Sequence, residues 1–276
     1  MKKRIIKLVI SCVFFVLDRL WHNMLKIFGT KTPGRCIVLY YHIVTKNQRS
    51  KFARQMDDVI RLSKPVAANF DGKVETETHY VAITFDDGFV SIINNALPEL
   101  TKRNIHSTIF VPTGYLGKRP GWINKKDHDF NSELVVSKDQ LLELKNNKSV
   151  SIGSHCVTHS NLLLLKEQEI KNELIESRQT LKEILKEDIS LLSFPHGAYN
   201  QKILKWTISA GYKRIFIISP KMFFPTPTEY IVGRIRVDPT DWSLEFRLKL
   251  VGAYRWLHVA IKVKRCVYCL IRKHKI

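Results

Sequence analysis

Cysteine and acidic side chains are both in short supply in this 276-residue chain. Five cysteines, at unhelpful spacings, make no disulfide framework. Cys12 and Cys36 lie near the start, and Cys156 falls between two histidines. Cys266 and Cys269 form a lone C-x-x-C with no second pair to complete a zinc ribbon. They read as apolar fillers of a helix, and Cys156 as a small buried side chain. Acidic residues number 25 against 45 Lys and Arg, a formal charge of +20. That imbalance asks for an anionic neighbour: lipid, polymer or nucleic acid. No zinc-finger or aromatic RNA-binding motif is present, so nucleic acid is not the expected partner. The excess is uneven. Phe246 to Ile276 holds nine Lys/Arg and no Asp or Glu, a run that a solvated helix would also explain.

A long apolar run is missing too. Ile5–Leu17, behind Lys2, Lys3 and Arg4, is interrupted by Lys7 and Ser11. It is shorter than the ~20 residues of a clean membrane span. No small-residue cleavage site follows it; Asp18-Arg19-Leu20-Trp21 does. Residues 1–34 are therefore a signal- or anchor-like stretch, or an interfacial amphipathic helix reaching Phe28, or a plain core helix. A linker with the turn Pro33-Gly34 closes the segment. No internal repeat is found.

What remains is ordinary globular material, 45% hydrophobic and 25% charged, long enough for one large α/β domain. Short apolar runs at Cys36–Tyr41, Tyr80–Phe85, Ser107–Val111, Val150–Gly153, Leu191–Phe194, Arg214–Ile218 and Tyr230–Val237 read as strands. Helical patterns at Phe52–Leu62, Ile92–Arg103, Leu141–Lys145, Lys166–Glu187 and Gln201–Ala210 alternate with them, with Ser137 as a cap before Leu141. Alternation of this kind builds parallel βα units. His42, Asp86, Asp87, Pro195-His196-Gly197 and Asp238 all follow strand ends. In a parallel barrel, that is the face where sites are built.

Two of these points carry chemistry. Val81–Phe85 runs into Asp86-Asp87-Gly88, and Ile152–Ser154 runs into His155, with His159 four residues on. One carboxylate with two imidazoles is the ligand set of an open hydrolytic metal site, and a second carboxylate beside it is a ready general base. Taken singly, Asp86-Asp87 would suit a turn and the histidines a polar loop. Their conjunction favours the site.

Thr-Phe-Asp-Asp-Gly, His-x-x-x-His and Phe-Pro-His-Gly in this order resemble the polysaccharide deacetylases of the NodB-homology class, carbohydrate esterase family 4. The resemblance covers roughly residues 36–243. It implies an α/β fold, a single distorted (β/α)7 barrel, and metal-dependent removal of N- or O-acetyl groups from sugars. Carried over by position, Asp87, His155 and His159 match the metal ligands and Asp86 the catalytic base. In the Pro195-His196-Gly197 turn, a backbone N–H after Pro195, from His196 or nearby, resembles the family's oxyanion contact. Val38–His42 resembles the circularly permuted, poly-N-acetylglucosamine-deacetylating branch, in which the general-acid His sits on the first strand. That implies His42, ahead of His258. The family's Arg two positions before the Pro is replaced here by Ser193, so Arg234 or Arg236 is expected to orient Asp86. Asp238-Pro239-Thr240-Asp241-Trp242 matches a fourth motif. Trp242, Arg234 and Asp238 join the residues expected around the sugar and oxyanion.

The expected organisation is residues 1–34 as the N-terminal segment, 35–243 as the barrel and 244–276 as a basic amphipathic segment. The expected cofactor is a divalent metal, zinc ahead of cobalt or nickel. The expected partners are an acetylated amino-sugar polymer of the cell envelope and an anionic membrane surface. This implies a membrane-associated or secreted enzyme. The competing reading is a non-catalytic carbohydrate- or membrane-binding relative of the same fold.

Overall fold

The computed structural model describes residues 1–72, 74–123, 130, 132–220, 230–260 and 263. The apolar runs form β1 (Arg35–Tyr41), β2 (Lys64–Val66), β3 (His79–Phe85), β4 (Ser107–Val111), β5 (Val150–Ser154), β6 (Leu191–Ser193), β7 (Arg214–Ile217), β8 (Ile231–Gly233) and β9 (Ile235–Arg236). The helices are α1 (Lys2–Ile27), α2 (Arg49–Leu62), α3 (Leu97–Thr101), α4 (Lys138–Lys145), α5 (Glu167–Leu185), α6 (Gln201–Ser209) and α7 (Ser243–Leu250).

The named strands all pair in parallel, in the order β8-β7-β6-β5-β4-β3-β1-β9, with short β2 added against β3. The last expected strand, Tyr230–Val237, is interrupted at Arg234. Its first half pairs with β7 and its second with β1. The backbone turns there because one strand must leave one neighbour and join another. Arg234 N donates to Ile217 O (3.1 Å) and Val237 N to Tyr40 O (3.1 Å). Counted as one stave, β8 and β9 close a barrel of seven with β1, β3, β4, β5, β6 and β7.

Strand alternation divides the apolar residues between two layers. Cys36, Val38, Tyr80, Ala82, Phe110, Leu191, Phe216 and Val232 fill the barrel interior. Ile37, Leu39, Tyr41, Val81, Ile83 and Phe85 point outward into the core under the helices. Gly153 is required inside. A Cβ there would stand 2.5 Å from the Phe110 ring and 3.1 Å from Leu191 O.

The expected helix Ile92–Arg103 is instead a wide π-type turn over Ile92–Ala96 followed by α3. Pro98 sits in the first turn of α3, where a missing N–H costs nothing. Ser137 caps α4 as expected: Gln140 N donates to Ser137 Oγ (3.2 Å) and Ser137 N to Gln140 Oε1 (2.9 Å). Two other differences lie at the ends. Helix α7 begins on the expected barrel boundary and buries Phe246, Leu248 and Leu250, so the packed body runs past 243. Helix α1 is docked by one side only. Leu8, Cys12 and Phe15 pack against Leu248, Ala253 and Tyr254. Cys266, Cys269 and the rest of 264–276 lie outside the described residues.

Candidate active site

The mouth of the barrel is built from strained loops. Asp87 (φ 70°), Cys156 (φ 63°), His159 (φ 59°) and His196 (φ 58°) are non-glycine residues in the left-handed region. Each costs of order 1–3 kcal/mol and persists only where the surroundings over-determine it. Here they do. Glu173 on α5 accepts from Val157 N (2.8 Å) and Thr158 N (3.0 Å) and from the Thr158 hydroxyl. Cys156 N donates to Ser154 Oγ (3.1 Å), itself paired with Ser177 on α5 (2.7 Å). The loop between β5 and α5 is thus pinned at several points, which fixes both histidines. Glu173 was not singled out from the sequence; only its return to the loop reveals it.

Asp87, His155 and His159 converge, all buried, with one ligand atom from each within 4.8 Å of the others. His159 Nε2 is 3.1 Å and His155 Nε2 3.6 Å from Asp87 Oδ1. Asp87 Oδ1 still has no hydrogen-bond partner among the described residues. A buried carboxylate oxygen left in this state is costly. His155 Nδ1 donates to Ser193 O (2.7 Å), which sets the tautomer and leaves Nε2 as the free donor atom. Burial pushes His155 down to about 4, so it is a neutral imidazole at neutral pH. An orphaned anionic oxygen with two imidazole nitrogens in reach fits a divalent cation.

Asp86 is adjacent in sequence and different in situation. Arg234 Nη1 donates to Asp86 Oδ1 (2.7 Å) and Nη2 to Asp86 Oδ2 (2.8 Å), a bidentate pair. Burial alone would raise this carboxyl. The Arg234 guanidinium overrides it, with His155 assisting, and holds Asp86 well below the ordinary carboxylate value of 3.8. Arg234 is 1% exposed and ringed by Tyr40, Phe110 and Phe216, with its centre 4.6, 5.4 and 5.7 Å from their ring centroids. Arg234 Nη2 also donates to Ser193 Oγ (2.7 Å). Ser193 stands where the family pattern carries its arginine, so Arg234 reaches that position from two staves away, across β7. It is buried against Asp86, and its guanidinium contacts Asp86, Thr84, Ser193 and the three rings. Arg236 is exposed.

His42 follows β1 at the same rim, close enough to act on both Asp86 and Asp87, and its ring meets Tyr40 edge-on at 5.5 Å. His258 Nδ1 lies 2.6 Å from Ser219 Oγ, past the end of β7. In the Pro195-His196-Gly197 turn, Gly197 N donates to Phe194 O (3.0 Å) and Ala198 N to Pro195 O (3.1 Å). The His196 ring meets His159 edge-on at 4.8 Å, so the turn borders the Asp87, His155 and His159 cluster. Asp238 is spent on its own turn, accepting from Thr240 N (2.8 Å) and the Thr240 hydroxyl. Trp242 is 41% exposed, and its ring is covered by Arg4 at 4.3 Å. The aromatic beside the cluster is Trp122, stacked on His159 at 4.2 Å and 17°. Trp122 stands in a polar, irregular stretch and carried no signal in the sequence.

The polysaccharide deacetylase family model matches residues 73–215, just over half of the chain. His42 and Arg234 lie outside that match. The Bacillus subtilis protein YxkH, named for the same family, is 26% identical over 76% of this chain and 74% of its own length. A Staphylococcus aureus poly-β-1,6-N-acetyl-D-glucosamine N-deacetylase is 28% identical over 61% of this chain and 57% of its own. Among solved structures, IcaB from Ammonifex degensii superposes with a TM-score of 0.66 at 22% identity, covering 82% of this chain and 99% of that one. The Streptococcus pyogenes deacetylase PplD does so with a TM-score of 0.61 at 20% identity, covering 80% and 98%. Those likenesses show a shared fold. Since the family match runs unbroken through Asp86-Asp87, His155, His159 and Pro195–Gly197, the chain belongs to the polysaccharide deacetylase family and is a deacetylase hydrolase.

Proposed function

We propose that this protein hydrolyses N-acetyl groups from an amino-sugar polymer of the cell envelope. The observation that carries the reading is the divided pair of adjacent carboxylates. Asp86 is locked and ionised by Arg234, while Asp87 faces two imidazole nitrogens with an unfilled oxygen. The substrate class is borrowed from the staphylococcal relative, whose name specifies poly-N-acetylglucosamine.

Asp87, His155 and His159 would hold a divalent metal, zinc in the first instance, with cobalt or nickel accepted by the same donors. When bound, it supplies Lewis-acid polarisation and a lowered water pKa. Asp86 takes the proton from the attacking water. Its low pKa keeps it ionised, and the bidentate guanidinium fixes its orientation. The His196 N–H forms no hydrogen bond among the described residues and is the donor of its turn available to a developing oxyanion. His42 gives a proton to the amine nitrogen as the carbon–nitrogen bond breaks. Water is consumed, and acetate and a free amino sugar are released. Trp122 offers an apolar face beside His159 for a sugar ring.

The test is mass spectrometry of N-acetylglucosamine oligomers incubated with metal-supplied protein. Loss of acetyl mass with the native chain, and none with Asp86→Asn, is the expected result. Equal loss with both would sink the assignment. No loss with either would favour the carbohydrate-binding alternative.

A further inference from the structure

Helix α1 presents two apolar faces, and the barrel covers only one. The covered side is held at several points. Arg4 donates to Glu245 (2.6 Å), Trp256 Nε1 to Ser11 Oγ (2.9 Å), and Asp18 pairs with Arg35 (3.0 Å) and with Arg255. Lys26 pairs with Glu77 (2.8 Å). The other side is a continuous stripe: Ile5, Ile6, Val9, Val13, Val16, Leu17, Leu20, Met24 and Ile27. Their spacing of three and four residues places them on one face of the helix. At mid-helix Val13 is 54%, Leu17 60% and Leu20 61% exposed. The stripe runs nearly the length of a 26-residue helix, about 39 Å at roughly 1.5 Å per residue. Soluble surfaces rarely leave an apolar patch of that extent open. Val259 and Val263, in the helical stretch tied to α1 by Trp256, are exposed as well.

Charge selects the occupant. The only acidic residue in the first 34 is Asp18, and it is turned inward to Arg35 and Arg255. Lys2, Lys3, Lys7, Arg19 and Lys31 are exposed along or beside the helix. The whole chain carries +20. A second copy would bring the same cations against themselves. An anionic bilayer brings the opposite charge to the rim and hydrocarbon to the stripe.

We propose that α1 lies in the plane of an anionic membrane, with its outer face sunk into the headgroup boundary and its inner face keeping hold of the barrel. No helix among the described residues is long and apolar enough to cross a membrane. A crossing would also have to break the ion pairs of Arg4, Asp18 and Lys26. The helix runs antiparallel to the staves. Its start is pinned near Thr240 and Glu245, past the end of β9, and its end near Arg35 and Glu77, before β1 and β3. An in-plane α1 therefore lays the barrel on its side. The site mouth then opens along the bilayer surface, where a polymer emerging from or attached to the membrane would pass.

Sedimentation of the full chain with sucrose-loaded vesicles tests this without any measurement of catalysis, so it stands apart from the deacetylase reading. The native protein is expected to sediment with equal phosphatidylglycerol and phosphatidylcholine, and weakly with phosphatidylcholine alone. Val13→Asp with Leu17→Asp should lower partitioning on the order of a hundredfold, since two half-exposed apolar side chains are replaced by charges. Lys2→Gln with Lys3→Gln should lower it about fivefold per charge, and only on anionic vesicles. An unchanged thermal midpoint verifies the fold. If the aspartates disturb it, Val16→Gln with Leu20→Gln makes the same test. The proposal is overturned if the native protein stays in solution, or if the aspartate pair binds like the native chain. It is also overturned if light scattering finds a dimer that the aspartate pair dissolves, since a second copy would then cover the face.

Discussion

The two ends of the barrel interior each contain a buried arginine, and they are used differently. At the mouth, Arg234 meets a carboxylate and gives it a fixed charge and direction. At the floor, Arg214, 8% exposed, donates to the backbone oxygens of Ala68 (3.0 Å) and Phe70 (2.7 Å). The mouth holds four left-handed non-glycine residues, Asp87, Cys156, His159 and His196, and the floor-side loops into β3, β4 and β6 hold Glu77, Asn104 and Lys186. A buried charge therefore does not mark a site by itself. What marks the mouth is that its arginine grips a carboxylate standing beside a cluster of potential metal ligands.

The largest effect should come from the ligand cluster. His155→Ala or His159→Ala is expected to lose nearly all bound metal by elemental analysis, and activity with it. Native metal content in either variant would remove the ligand assignment. Next, Asp86→Asn and His42→Ala should each lower kcat by ~10²–10⁴ while keeping metal. If His258→Ala is crippled and His42→Ala is not, the acid has been misplaced.

The two arginines give the sharpest contrast. Arg234→Met leaves Asp86 buried and unpaired, a loss of about 3–5 kcal/mol in stability. With the guanidinium gone, burial raises the Asp86 carboxyl above its ordinary value, so the acid limb of the pH–rate profile should move up. In the native chain the paired carboxylate contributes stability above the ordinary carboxylate value of 3.8. That contribution is lost as pH falls below it, toward the depressed native value. Arg214→Met should destabilise and leave the acid limb where it was. A shared shift in both variants would erase the distinction between mouth and floor. Adding Ser193→Arg to Arg234→Ser should return part of the lost rate, because both positions face Asp86. The smallest effect is expected from Glu173→Gln, about 10–100-fold in metal affinity through a loosened loop, read by metal titration.

Much of this was legible along the chain. Asp86-Asp87-Gly88 and His155–His159 announce themselves because ligands sit a fixed few residues beyond apolar strands, and local spacing survives folding. The staves were legible for the same reason, since a run of β-branched and aromatic residues behaves alike wherever it packs. Glu173 and Trp122 were not. Glu173 reads as one more charge on an amphipathic helix, and Trp122 as an aromatic in a polar loop. Nothing local distinguishes them until α5 is laid under the β5 loop and the Trp122 ring falls on His159.

Sequence alone determined the strand–helix alternation, the pair of carboxylates, the histidine spacing and the excess of positive charge. Tertiary structure decided which charge each of those groups meets. Asp86 and Asp87 are chemically identical neighbours. They part because the chain turns just past the end of β3, where Asp87 takes a left-handed φ of 70°. One meets an arginine from the last stave, 148 residues on, and the other faces the two histidines beyond β5. The fate of α1 was decided in the same way. Its composition permits a core helix, a span or a surface helix. Ion pairs to Glu245, Arg35 and Glu77 hold one face against the barrel and turn the other outward. Partners so distant in sequence meet only when the barrel closes, and no local pattern encodes that meeting.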